Sequence, residues 1–284
     1  MELGVLSDIH GNYEAFKACV DYLEKRKVDA YVLLGDYIGE LPCPQKTLDL
    51  VRNLQKTRKC YVLRGNKEDY ILQGLGGFHP EWNEYKSIVG MLRYGFDHCT
   101  EEDRKYFENL PITDVISIEG YPDIRICHGS VDNTKRKIEL EPEEFFKNIK
   151  EDYILCGHTH RKKETHIGKK KIFNPGSVGI QIDGDIGAGC MILHGSLDSW
   201  EPEFLLISYD VEAEIQSMRD EGLFSIAPYW SIITEQLLRG GNVYHSKVLN
   251  YAVELCTRER GSCTWPEIPE DFMRRAVDVL INKK

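Results

Sequence analysis

Three short apolar runs near the start of this chain, residues 3–6, 30–34 and 60–63, alternate with two longer stretches, residues 13–25 and 44–54. In the first of these stretches Phe16, Cys19, Val20 and Leu23 recur at helical spacing. Short buried strands separated by amphipathic helices form βαβ units, because adjacent parallel strands need a crossover long enough to hold a helix. The chain is therefore expected to build an α/β fold on a parallel sheet, whose ligands sit beyond the carboxyl ends of the strands. Polar clusters occupy those ends: Ser7-Asp8-Ile9-His10, Gly35-Asp36 and Gly65-Asn66. Two more, His128-Gly129 and Gly157-His158-Thr159-His160, follow the runs at residues 123–127 and 153–155.

From Phe78 to Leu110 the reading is helical, with Trp82, Tyr85, Ile88, Val89, Leu92 and Phe96 at helical spacing. It predicts a packed helix pair; the alternative is a cap over the cleft that shapes substrate choice. After Pro111 strands are expected at residues 114–118, 123–127, 153–155, 171–173, 177–182, 190–193 and 204–209. These would form a second sheet packed on the first, with a helix over residues 142–149 outside it. Beyond Asp210 four helices are expected, at residues 211–221, 229–238, 242–257 and 270–281, broken by Gly222, Gly240-Gly241 and Pro266 to Pro269. The domain reading is residues 1–209 as the α/β domain and 210–284 as a helical C-terminal extension. The extension holds no ligand cluster and reads as packing on the core or on another subunit in a homo-oligomer.

A formal charge of −10 on 284 residues argues against salt-driven binding of duplex nucleic acid. The basic run Lys169-Lys170-Lys171 reads as a solvated turn. Nine cysteines without a Cys-x-x-Cys pair, several inside apolar strands, read as reduced thiols rather than a disulfide framework. No apolar run is long enough to cross a membrane, and the first strand starts at once, without a signal peptide. A cytoplasmic protein is expected.

Together the five clusters supply two carboxylates, one amide oxygen and four imidazoles, a ligand set for two divalent ions. Asp36 is the natural bridge. Asp8, His10, Asp36 and His160 are assigned to one ion, and Asp36, Asn66, His128 and His158 to the other. Mixed oxygen and nitrogen donors suit Mn²⁺ foremost, with Fe²⁺, Zn²⁺, Co²⁺ or Ni²⁺ as alternatives. Two ions about 3.5–4 Å apart commonly hydrolyse phosphate esters by lowering the pKa of a shared water. The same seven residues are thus the candidate catalytic set. Asn12, at the start of the first helix, is placed either for an anionic substrate or as a helix cap.

The blocks Asp8-Ile9-His10-Gly11-Asn12, Gly35-Asp36, Gly65-Asn66, Cys127-His128-Gly129-Ser130 and Gly157-His158-Thr159-His160 resemble the successive signatures of the calcineurin-like metallophosphoesterase superfamily. Asn174-Pro175-Gly176-Ser177-Val178-Gly179, followed by Asp183-Gly184-Asp185, resembles a prokaryotic branch that includes YfcE-type phosphodiesterases and relatives of diadenosine tetraphosphate hydrolases. The resemblance covers about residues 1–209 and implies a four-layer α/β/β/α sandwich with a dinuclear site between the sheet ends. It implies an enzyme acting on a small phosphorylated substrate, a nucleotide among the candidates. Asn174 and Ser177 would shape the loop that holds the histidine block.

One position departs from the pattern. Many members have a histidine after the Gly-Asn pair, acting as general acid or transition-state stabiliser; this chain has Lys67, followed by Glu68 and Asp69. An ammonium of pKa ~10.4 is a poor proton donor near neutrality, although its charge suits a phosphoryl oxygen. Lys67 is therefore read as a substrate contact, or as pointing to solvent or paired with Glu68 or Asp69. Hydrolysis of a phosphodiester or phosphoanhydride bond is the expected function. Dinucleoside polyphosphate hydrolase and protein phosphatase are the alternatives within the enzyme class, and a non-catalytic scaffold is the alternative outside it.

Overall fold

The computed structural model describes residues 1–74 and 83–282. The helical expectation over Phe78 to Trp82 lies outside the described residues. Strands β1 (Glu2–Leu6), β2 (Ala30–Leu33) and β3 (Cys60–Val62) pair in parallel, connected by α1 (Tyr13–Arg26) and α2 (Pro44–Thr57). Asn12 caps α1 by accepting the Ala15 N–H, and Pro44 opens α2, where its missing N–H costs nothing. Helices α3 (Asn66–Gln73), α4 (Lys86–His98) and α5 (Glu101–Asn109) then lead to a second sheet.

That second sheet has the order β4-β5-β6-β8-β7, from β4 (Thr113–Ile116), β5 (Ile124–Cys127), β6 (Tyr153–Leu155), β7 (Lys162–Ile167) and β8 (Lys170–Pro175). Strands β9 (Ala188–Gly195) and β10 (Trp200–Ile207) depart from expectation: they return antiparallel to the first sheet, giving β10-β9-β1-β2-β3. Their apolar sequence specifies burial, and both sheets offer an apolar face. What decides is pairing: β9 covers the free edge of β1, with Val5 opposite Met191.

The two sheets stack through Leu3, Val5, Val32, Ile126, Leu155 and Phe173. Leu6, Leu33 and Val51 pack on the other face of the first sheet with α1 and α2. Outside the second sheet Ile154 and Ile172 meet Phe146 on the short helix α6 (Glu143–Phe146), which replaces the longer helix expected there. The result is the four-layer α/β/β/α sandwich. Burial on both faces makes β1 and β2 read as continuous apolar runs rather than alternating ones.

Two further expectations fail locally. Residues 177–182 form a loop rather than a strand, because their N–H groups bond to the ligand loop after β1: Val178 N donates to Ser7 O and Gly179 N to Asp8 O. Strand β7 had no apolar signal, since Lys162, Lys163 and Glu164 are exposed on an edge.

Five helices follow β10: α7 (Val211–Asp220), α8 (Leu223–Ile226), α9 (Pro228–Leu238), α10 (His245–Arg260) and α11 (Glu270–Leu280). Short α8 was not foreseen. Their apolar faces close on α4, where Ile88 and Met91 join Met218, Ile233, Val248, Phe272 and Met273 in one cluster. The tail thereby packs onto the segment that follows the Asn66 loop. Among the described residues no helix is long and apolar enough to cross a membrane.

Candidate metal centre

Each polar cluster lies where a strand hands over to a loop, and hydrogen bonds between backbones stitch these loops together. Asp8 N donates to Gly35 O, His10 N to Asp36 O and Gly157 N to His128 O. The approach is tight enough to require glycine. A Cβ on Gly35 would lie 2.4 Å from Gly65 N, and one on Gly157 would lie 1.9 Å from Ser7 Oγ.

The backbone here is also strained. Asp8, His10, Asp36, His158 and His160 all have φ between 55 and 66°, in the left-handed region. Among the described residues only two other non-glycine residues, Lys27 and Cys43, have positive φ, and each flanks a helix end. Such a conformation costs about 1–2 kcal/mol per residue. Five such residues in one place mark a site over-determined by its surroundings.

The structure brings all seven predicted residues together in two overlapping groups. Ligand atoms of Asp8, His10 and His160 lie within 4.8 Å of one another, as do those of Asp8, Asp36 and His128. His10 Nε2 faces His160 Nε2 at 2.9 Å, and His160 Nε2 lies 3.4 Å from Asp8 Oδ1. Asp36 reaches both sides, its Oδ2 3.8 Å from His10 Nε2 and its Oδ1 3.5 Å from His128 Nε2. Asn66 Oδ1 completes the second group, 3.1 Å from His128 Nε2 and 2.8 Å from His158 Nδ1.

The outward nitrogens of three imidazoles are tied. His128 Nδ1 donates to Leu34 O at 2.8 Å and His160 Nδ1 to Ile180 O at 3.0 Å. His10 Nδ1 lies 2.7 Å from Glu40 Oε2, a contact of charge rather than an aligned hydrogen bond. Anchoring one ring nitrogen while the other faces a cluster of carboxylates is how proteins prepare histidine for a metal. The donor set fits a pair of borderline divalent ions: hard carboxylate and amide oxygens plus imidazole nitrogens.

Charge follows the geometry. Burial opposes ionisation of Asp8 and Asp36, but the surrounding histidines outweigh it and hold both carboxyls below the ordinary range. Burial works against charge on His10 too, yet Glu40 and Asp8 push it up to about 10; at His128 Asp36 does the same, up to about 9. His158 is drawn down to about 4 by burial and by His128, and burial lowers His160. His158 and His160 are therefore neutral at pH 7, whereas His10 and His128 carry protons that a bound cation would displace.

Two residues that sequence reasoning missed hold the site. Glu68 is buried and accepts three backbone N–H groups, from Asp36 (2.9 Å), Tyr37 (2.8 Å) and Gly65 (2.7 Å). Glu40 joins His10 to Lys67, whose Nζ donates to its Oε1. Lys67 thus pairs with Glu40, not with Glu68 or Asp69. The only signal for Glu68 was its place three residues after Gly65, the capping-box spacing. Asn12 is corrected as a substrate contact: it is fully buried, and besides capping α1 its Nδ2 donates to Gly179 O and Tyr209 Oη. Asn174 Nδ2 donates to Gly157 O, and Ser177 Oγ donates to Asp8 O.

The family model of the calcineurin-like phosphoesterase superfamily domain matches residues 1–196, more than half of the chain. The chain belongs to the calcineurin-like phosphoesterase superfamily. Membership makes it a metal-dependent phosphoesterase, a hydrolase of phosphoric ester bonds. The chain is 26% identical over 255 residues to an uncharacterised protein of Methanocaldococcus jannaschii, covering 84% of this chain and 98% of that one. Its fold is similar to that of a hypothetical protein of Pyrococcus horikoshii, with TM-score 0.69, 21% identity, and 86% and 99% of the two chains covered. A metallophosphoesterase of Sphaerobacter thermophilus gives TM-score 0.62 at 22% identity, with 81% and 99% covered. In both structural likenesses the match extends past the sandwich into the helices that follow it.

Proposed function

We propose that this protein hydrolyses a phosphodiester or phosphoanhydride bond with two divalent cations, Mn²⁺ foremost. Asp8, His10, Asp36 and His160 would hold one ion, and Asp36, Asn66, His128 and His158 the other. The observation that carries this reading is the meeting of seven donors from five loops, five of them on strained backbone, with the outer nitrogens of His128 and His160 already bonded to backbone carbonyls. Two such ions, when bound, supply Lewis-acid charge and an acidified water.

The chain's own part is to hold and orient. Asp36 is fixed by the Lys67 N–H at 2.8 Å and Asp8 by the His158 N–H at 3.0 Å, so both carboxylates are positioned before any ligand arrives. Such preorganisation removes reorganisation from the reacting state. Lys67 follows Asn66 where a proton donor would stand, but its ammonium is bound to Glu40 and its pKa is raised: burial opposes the charge, and Glu40 and Asp36 outweigh it. Lys67 therefore does not give up a proton near pH 7. Substrates whose leaving group departs as an anion without protonation are therefore favoured over simple alkyl monoesters.

Asp36→Asn and His158→Ala, each with unchanged circular dichroism, should abolish turnover of bis-p-nitrophenyl phosphate in Mn²⁺. Wild-type rates in both would remove this reading.

A further inference from the structure

A cavity of about 200 Å³ adjoins the cluster, and the reading above leaves it unused. Its inner end is formed by Gly39, Glu40 and Lys67. Glu40 touches His10 Nδ1, a Cβ on Gly39 would lie 2.4 Å from that same nitrogen, and Lys67 follows Asn66. The cavity therefore begins directly beside the ligand residues. Its remaining walls are apolar and aromatic, with Met91 and Gly95 from α4, Trp230 from α9 and the half-exposed Trp265.

The Trp230 ring is held in place by the His245 imidazole, with ring centres 4.4 Å apart and planes inclined by 30°; His245 Nε2 in turn lies 2.9 Å from Thr234 Oγ1. Trp230 Nε1 is buried with no hydrogen-bond partner among the described residues. An apolar space walled by a fixed indole, with a carboxylate–ammonium pair at one end, suits a planar ring bearing its own donors and acceptors. The volume is below the ~300 Å³ at which sites for larger ligands begin, which suits one ring system rather than a peptide.

We infer that this cavity receives the heteroaromatic base of the substrate, so that the phosphoesterase reading, on which this rests, narrows to nucleotide-type phosphoesters. The tail helices then act in specificity, because α9 supplies the Trp230 wall. Adenosine 5′-monophosphate and ribose 5-phosphate share the phosphate and the sugar and differ by the base, so titrating both into the Mn²⁺-loaded protein by calorimetry isolates the cavity. Stacking on an aromatic wall predicts that the nucleotide binds roughly 10–100-fold tighter.

Gly95→Leu fills the cavity from α4, and Gly95→Ala is its control, since an added Cβ there meets only Ile71 Cδ1 at 3.6 Å. Trp230→Ala removes the indole and decides the matter if Gly95→Leu does not fold. In Gly95→Leu or Trp230→Ala the two affinities should come within about twofold. Equal affinities in the wild type, no measurable nucleotide binding, or a preference that survives Trp230→Ala would overturn the inference. Turnover of bis-p-nitrophenyl phosphate is measured separately. Turnover without base preference overturns the base site alone, whereas base preference without turnover overturns the hydrolase reading and leaves the base site standing.

Discussion

Glu68 supports the strained loops from beneath, and its replacement has a calculable consequence. Its Oε2 accepts from Asp36 N and Gly65 N, and its Oε1 accepts from Tyr37 N. A glutamine in the same place keeps one acceptor oxygen. If that oxygen serves Asp36 and Gly65, the amide –NH₂ is turned against the Tyr37 N–H, leaving one buried donor unmet. An unmet buried donor costs ~1–3 kcal/mol. Glu68→Gln should therefore lower the unfolding free energy by about that amount, measured by urea denaturation without added metal. Glu68→Ala strands all three donors and should cost more, with water entering the gap setting the lower limit. Because Asp36 N is among the orphans in Glu68→Ala, that variant should also weaken the rise in melting temperature on adding Mn²⁺. Wild-type stability and a wild-type metal shift in Glu68→Ala would refute the idea that this carboxylate holds Asp36.

Three other outcomes follow from the same geometry. Glu40→Gln removes the charge that faces His10 Nδ1 and should weaken Mn²⁺ binding ~10–100-fold by calorimetry, the usual cost of losing a residue that orients a ligand; unchanged affinity would contradict that role. In chelator-stripped protein, His10 and His128 titrate at about 10 and about 9, above the ordinary ~6.5, so their stabilising contribution is complete below pH ~6.5 and fades as pH rises through those values. The melting temperature of the stripped protein should accordingly fall between pH 7 and 10, and less so with Mn²⁺ bound, since the cation takes the protons' place; a flat profile for the stripped protein would contradict the assignment. Gly157→Ala forces a Cβ to within 1.9 Å of Ser7 Oγ and should cost ~1–3 kcal/mol in urea denaturation, and unchanged stability would show that the loops are looser than described.

Much of the candidate site was legible because side chains suited to a metal are of few types and stand where strands end. Asp8, Asp36, His128 and His158 each stand next to an apolar run, and chain order alone brought them into view. The supporting residues were harder to read. Glu40 and Glu68 look like ordinary surface acids in sequence, and their burial exists only once the Asp36 loop has folded around them. In the fold, β1 to β3 declared themselves by continuous apolar sequence, the mark of a strand covered on both faces. The sheet membership of β9 and β10 did not, because hydrophobicity specifies burial and says nothing of which edge is free. Edge strand β7, with charged side chains facing water, lacked any apolar period to find. The positive φ values at Asp8, His10, Asp36, His158 and His160 are invisible in sequence, although the neighbouring Gly35, Gly65 and Gly157 hinted at crowding there.

Metal content is the most direct measurement. Protein stripped with a chelator, incubated with excess Mn²⁺ and freed of unbound ion should retain two ions per chain by plasma mass spectrometry, falling to one or none in Asp36→Asn. A wild-type protein that retains no ion, or an Asp36→Asn protein that still holds two, would contradict a two-metal centre built on these seven side chains.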